Sequence, residues 1–202
     1  MLESNNRKFN HLKIHSQYSI CEGAIKIEDL KDFSKKKKIP CLGLSDTSNL
    51  CGALEFAENI SKIGTQPIIG TQIYFRFEDT TGLLPLIALN EKGYKRIIEL
   101  SSRSYLENDA LSEPHLNIKE LLTDTDGVAL LSGTIQGLFG KLFQKGRLEE
   151  TTELYKSLSS QFNDRFYLEI QRHGDRNEVA FEKYNLAQSL KIEIPIIATN
   201  EV

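Results

Sequence analysis

Short apolar runs alternate with amphipathic helical stretches along the whole chain, and this alternation limits the folds open to it more than any other feature. His11–His15 reads as a strand and Ile27–Lys37 as a helix with Leu30 and Phe33 at helical spacing. Cys41–Ser45 reads as a buried strand ending at Asp46, and a helix follows Asn49 through Leu54, Phe56, Ala57 and Ile60. Pro67–Phe77 and Leu83–Asn90 are two further strands separated by the turn Asp79–Gly82. The second half continues with a helix at Gly93–Leu106, where Ile97, Ile98 and Leu100 point inward, and a short helix at Asn117–Leu122. A strand at Gly127–Ser132, a short helix at Gly137–Lys145 and an amphipathic helix at Leu148–Phe162 come next. A strand at Arg165–Arg172, a helix at Asn177–Leu190 and a strand at Pro195–Asn200 complete the series. Repeated βα units predict an α/β protein with a largely parallel sheet, open or closed into a barrel. A length of 202 residues suits one domain spanning the chain, with a sizeable core.

The polar residues cluster where such a sheet places chemistry. His15, Asp46, the loop after Ser132, Gln171–His173 and Asn200–Glu201 all fall at the carboxyl ends of the predicted strands. In a barrel these ends meet on one face. The opening stretch Phe9–Ser19 has the look of a metal-binding start with one ligand replaced. A His-x-His pair on a strand would set two imidazoles about 6–7 Å apart on one face. Here the first of those positions is Lys13, and a protonated amine has no lone pair to give. His11 does not make up the loss. It would share a face with His15, but four extended residues separate the two backbones by roughly 13 Å.

Composition narrows the rest. The formal charge of -3 leaves no broad electrostatic footprint for nucleic acid, and the run Lys35–Lys38 reads as the solvated end of a helix. Three cysteines, Cys21, Cys41 and Cys51, form no C-x-x-C pair and suit a reducing compartment. The first eight residues lack the apolar stretch of a secretory signal, and no apolar run approaches the roughly 20 residues of a membrane span. The expectation is a cytoplasmic protein with no membrane contact.

Several segments together resemble a known family. They are F-N-H-L-K-I-H-S-Q-Y-S at 9–19, E-G-A-I-K at 22–26, L-S-D-T-S-N-L-C-G at 44–52, Q-P-I-I-G-T-Q at 66–72 and L-N-E-K-G-Y at 89–94. L-L-S-G at 130–133, F-Y-L-E-I-Q-R-H-G at 166–174 and I-P-I-I-A-T-N at 194–200 follow in order. The set resembles the PHP (polymerase and histidinol phosphatase) domain at the head of bacterial replicative DNA polymerase III alpha subunits. The resemblance implies a distorted seven-stranded TIM-like barrel, a trinuclear metal cluster in active members and a much longer polymerase following. It implies that residues 1–202 are one such domain, a fragment truncated at its C-terminal end and left open where a further strand would close it. Magnesium chemistry would belong to the polymerase domain, which is not part of this chain.

The resemblance also maps the family's metal positions onto this sequence. The first histidine is Lys13, the second is kept as His15, and the next acid is Glu22. Asp46 is kept beside Thr47, which replaces a histidine, and Gln72 replaces a glutamate. Leu83 and Thr134 stand where a histidine and a cysteine are expected, while His173 and the acid Glu201 are kept. Leu83 has no donor atom, and neutral amide and hydroxyl oxygens are poor zinc or manganese ligands. At about 4 Å, an ammonium repels each unit of ion charge by roughly 1–4 kcal/mol. The expectation is therefore a vestigial cluster without catalytic residues or a cofactor, in which Lys13 neutralises Asp46, Glu22 or Glu201. The implied role is structural, docking the proofreading exonuclease subunit, joining the rest of the polymerase chain and meeting DNA through the holoenzyme. The alternative is an active metal-dependent 3′–5′ exonuclease or phosphoesterase, with zinc or manganese held by His15, Glu22, Asp46, His173 and Glu201.

Overall fold

A computed structural model describes residues 9–202. In order, the elements are α1 (Ile27–Lys37), β1 (Cys41–Thr47), α2 (Ala53–Ser61), β2 (Gln66–Phe77), β3 (Thr80–Ala88) and α3 (Glu91–Leu106). They continue through β4 (His115–Asn117), a 3-10 turn at Ile118–Leu122, β5 (Val128–Leu131), α4 (Leu138–Gln144) and α5 (Leu148–Phe162). The series ends with β6 (Phe166–Ile170), α6 (Glu178–Ile192) and β7 (Ile196–Ala198).

The strands form one curled seven-stranded sheet in the order β1-β2-β3-β5-β6-β7, with β4 paired to the far half of β2. Pairing is parallel except around β3, which runs antiparallel to both β2 and β5. The departure from a largely parallel sheet has a local cause. Phe77 pairs with Thr80, so only Glu78 and Asp79 make the turn, and β2 returns directly as β3 instead of crossing over through a helix. This hairpin is tighter than the four-residue turn the sequence suggested, and Glu78 takes the positive φ of 53° that such a turn requires. β4 has no counterpart in the sequence reading, because a three-residue pairing carries too little periodicity to detect.

The extended segment before α1 bridges the two edges of the curl. Lys13 pairs with Glu201 and Ile14 with Leu44, both parallel. Ile14 N–H donates to Gly43 O at 3.2 Å, while His15 N–H donates to Val202 O at 2.7 Å. The β7 edge, open on sequence grounds, is thus joined to the N-terminal strand. Gly43 permits this approach, since a Cβ there would sit 2.6 Å from the Leu12 backbone.

Strand alternation sorts side chains into two layers. Outward residues such as Phe75, Leu86, Leu130 and Leu168 pack under the helices with Ile97, Leu100, Tyr155 and Leu158. Ile98, expected inward, is 40% exposed, because one residue of rotation from Ile97 carries it off the buried stripe of α3. A second cluster seats α1 and α2 on Ile14, Leu42 and Leu44. Inside the curl, one end is apolar, with Ile87, Ala129 and Leu131 packed by Leu12, Ile68, Tyr167 and Ile197. The other end is polar.

Candidate functional site

The polar end gathers most of the residues singled out in the sequence. Lys13 is 1% exposed, and its Nζ lies 3.2 Å from Glu169 Oε1 and 3.3 Å from Glu201 Oε2. The bridge between Lys13 and Glu201 holds the lysine on the strand where alternation turns it inward. One partner was expected and one was not. Asp46 and Glu22 do not pair with this amine; Glu169 does. Its signal was available in the period-2 series Tyr167, Glu169, Gln171, which faces the interior of β6 and places an acid in mid-barrel. Glu169 Oε1 also accepts hydrogen bonds from Gln171 Nε2 at 3.0 Å and from the Thr199 hydroxyl. Glu169 Oε2 is buried without a partner among the described atoms.

His15 stands beside this ion pair. Its Nε2 is 2.9 Å from Glu201 Oε1, and Gln72 Nε2 donates to the same oxygen at 2.6 Å. Burial pushes the Glu201 carboxyl up, but the His15 hydrogen bond, the Lys13 charge and the Gln72 amide outweigh it and hold the group at about 2. His15 Nδ1 lies 3.1 Å from Ser19 Oγ. That hydroxyl gives its single proton to Asp46 Oδ1 at 2.7 Å and already accepts from Thr47 N–H, so the imidazole donates to it.

Asp46 is fully buried and committed to local hydrogen bonds. Oδ1 accepts from Ser16 N–H at 2.7 Å as well as from Ser19, and Oδ2 accepts from the Ser16 hydroxyl at 2.8 Å. The carboxylate therefore pins the Ser16–Gly23 loop to the end of β1. Glu22 closes the same loop by accepting from the Thr47 hydroxyl at 2.5 Å, with His15 Nδ1 at 3.6 Å. Two predicted members stay outside the network. Thr134 turns its hydroxyl to the Gln136 N–H at 3.2 Å, and His173 is exposed, its backbone N–H held by Glu178. His11, expected on the face of His15, lines an outer groove instead and meets the Phe9 ring edge-on at 5.1 Å. The geometry is one connected set of imidazole, ammonium, carboxylates, amide and hydroxyls at strand carboxyl ends.

A curled α/β sheet with its edges joined by the N-terminal segment and such a cluster at strand ends defines a distorted TIM-like barrel. Comparison with known proteins assigns it further: the PHP domain family matches residues 11–173, and the chain belongs to that family. It is 35% identical over 211 residues to DNA polymerase III subunit alpha of Caulobacter vibrioides, covering all of this chain and 18% of that protein. The same subunit of Vibrio cholerae is 32% identical over 198 residues, covering 96% of this chain and 17% of the relative. The chain thus spans under a fifth of the length of these relatives. Among solved structures, a candidate metal-dependent phosphoesterase from Bifidobacterium adolescentis superposes with a TM-score of 0.62 at 12% identity, covering 94% of this chain and 86% of the other. A sulfate-bound, metal-free amidohydrolase from Chromobacterium violaceum superposes at 0.58 and 9%, covering 95% and 86%. These two likenesses concern the fold. No helix among the described residues is long and apolar enough to cross a membrane.

Proposed function

We propose that this chain is the N-terminal PHP domain of a replicative DNA polymerase III alpha subunit, and that it serves as a metal-free structural module. The observation that carries the second part is Lys13. Its ammonium lies between Glu169 and Glu201, inside the cluster where PHP enzymes are expected to gather cations. Further support comes from the donors. The Asp46 oxygens already accept three hydrogen bonds, Gln72 presents its amide nitrogen to Glu201, and His15 Nε2 is held at 2.9 Å from Glu201 Oε1. A metal would need these lone pairs free and the lysine deprotonated or displaced. The residues present do not fit a multinuclear metal cluster, and no reaction step is assigned through one.

In this reading the domain holds the polymerase chain together, docks the proofreading exonuclease subunit and meets DNA only through the assembled holoenzyme, in the cytoplasm. Two experiments test it. Element-specific analysis of the purified chain should find zinc and manganese well below one per protein, and single-stranded DNA should remain uncut. Stoichiometric metal, with nuclease activity lost in Asp46→Ala, would establish the active phosphoesterase instead. Titration with the exonuclease subunit should show saturable binding, and its absence from a folded chain would remove the docking role.

A further inference from the structure

We infer that the groove between the β1–α2 loop and α3 is a protein-docking surface, and that it takes a short apolar segment of a partner subunit flanked by lysine or arginine. The inference rests on the docking role proposed above and gives that role a place on the molecule. The groove is a cavity of about 430 Å³. Leu50 and Cys51 form one wall, and Ile98, Ser101, Ser102 and Tyr105 of α3 form the other. None of these residues belongs to the ion-pair network around Lys13.

Three observations define the occupant. First, residue spacing makes an apolar notch. Ile98, Ser101, Ser102 and Tyr105 stand at i, i+3, i+4 and i+7, so they share one face of α3. Two small hydroxyl residues between an isoleucine and a tyrosine leave a hollow with apolar ends. Ile98 and Tyr105 are 40% and 52% exposed, and Leu54 in the first turn of α2 is 71% exposed. Leu106 and Leu111, which follow on from α3, are more exposed still, and Asn108 between them is bonded to Ser104 O and His115 O. Apolar side chains gathered in this way mark contact surfaces, and tyrosine is a frequent anchor in them.

Second, the surround is acidic. Residues 98–113 carry Glu99, Glu107, Asp109 and Glu113 against the single base Arg103, and Arg103 is already engaged by Glu99, Glu107 and Glu120. Glu55, beside Leu54, accepts from the neutral Tyr18 hydroxyl, and Glu113 bonds the neutral Tyr74. Glu55, Asp109 and Glu113 have no basic partner among the described residues. Such a surround repels the phosphates of nucleic acid and draws a cationic segment. Third, the floor holds an open donor. Ser48 is buried with a positive φ of 56°, and its hydroxyl has no partner among the described atoms. A backbone carbonyl of a segment lying in the groove would take that proton.

Titration of the exonuclease subunit against surface variants tests this. Tyr105→Ala and Ile98→Lys should each raise Kd by roughly tenfold or more. Asp109→Lys should raise it by roughly threefold, with the difference fading at high salt. Glu153→Lys makes the same charge change on α5 and should leave binding as it is. All four positions are exposed, so melting temperatures should stay within a few degrees of the unmodified chain. If either groove variant melts early, Leu54→Lys takes its place. Unchanged binding by the folded groove variants would overturn the inference while leaving the docking role to another surface. No binding by the unmodified chain would remove the docking role and this surface with it. Tighter binding by Asp109→Lys would overturn the basic character of the occupant. Self-association of the chain that the groove variants abolish, read by sedimentation, would give the groove to a second copy and likewise overturn the inference.

Discussion

The two ends of the barrel interior are built from the same strands and filled by opposite chemistry. At the base, Leu12, Ile68, Ile87, Leu131, Tyr167 and Ile197 pack without any ion pair among them. At the rim, one to two turns of the pleat further along, Lys13, Gln72, Glu169, Thr199 and Glu201 occupy interior positions on the same or neighbouring strands. The base is held by removing apolar surface from water, which is non-directional and tolerant of shape. The rim is held by charges taken out of water, and these are worth keeping only while every partner stays in place. A region of the second kind must be balanced internally, and a single lysine supplies much of that balance here.

Breaking the balance should give the largest effect. Lys13→Met leaves the buried Glu169 and the partly exposed Glu201 without their cation and should cost about 3–5 kcal/mol in urea unfolding at neutral pH. The double change Lys13→Met with Glu169→Gln should recover a large part of that loss, since it removes the stranded charge along with its partner. Recovery of nothing would mean the lysine acts by packing alone. At the base, Leu131→Ala should cost about 2–4 kcal/mol, with no second-site charge change able to restore it. Chemical denaturation of both single variants at two pH values separates the regions: only the rim variant should change its deficit when the carboxylates are protonated.

Smaller effects sharpen the contrast. Asp46→Asn removes an acceptor for Ser16 and Ser19 and should cost about 1.5–3 kcal/mol, while hydrogen exchange in the Ser16–Gly23 loop rises. Acid should act on the rim before the base. Glu201 titrates below its ordinary 4.5, at about 2, so its contacts stabilise the fold above pH 4.5 and are lost as pH falls between those values. Glu201→Gln should flatten the melting temperature against pH over that window; an unchanged slope would assign acid sensitivity elsewhere. Glu22→Gln, at a half-exposed carboxyl, should change stability by well under 1 kcal/mol.

Much of this was legible from residues in order. Ile27–Lys37 and Leu148–Phe162 form helices over the residues their apolar spacing marked, and β1, β2 and β6 begin and end within a few residues of the reading. Periodicity reports which face of an element avoids water, and that is a local property. What it missed was non-local. The reversal of β3 depends on a two-residue turn rather than on strand composition, and β4 exists only because β2 extends far enough to pair with it. At the site, the sequence identified Lys13 as a cation set among acids but not its second partner, because Glu169 holds none of the family's metal positions and only the curl of the sheet brings β6 to the N-terminal strand. His173 and Thr134 held family positions in the sequence, yet their hydrogen bonds go to Glu178 and Gln136, outside the network around Lys13 and His15.

By itself, the order of residues determined the α/β alternation and the placing of a lysine, Lys13, two residues before His15 on the opening strand. Each of these follows from side-chain identity and spacing along the chain. Only the tertiary structure decided which carboxylates neutralise that lysine, and that Asp46 is spent on hydroxyls and a backbone amide. Those outcomes depend on distances between strands remote in sequence, where Coulomb energy and hydrogen-bond geometry change over a few ångström and no local pattern records them.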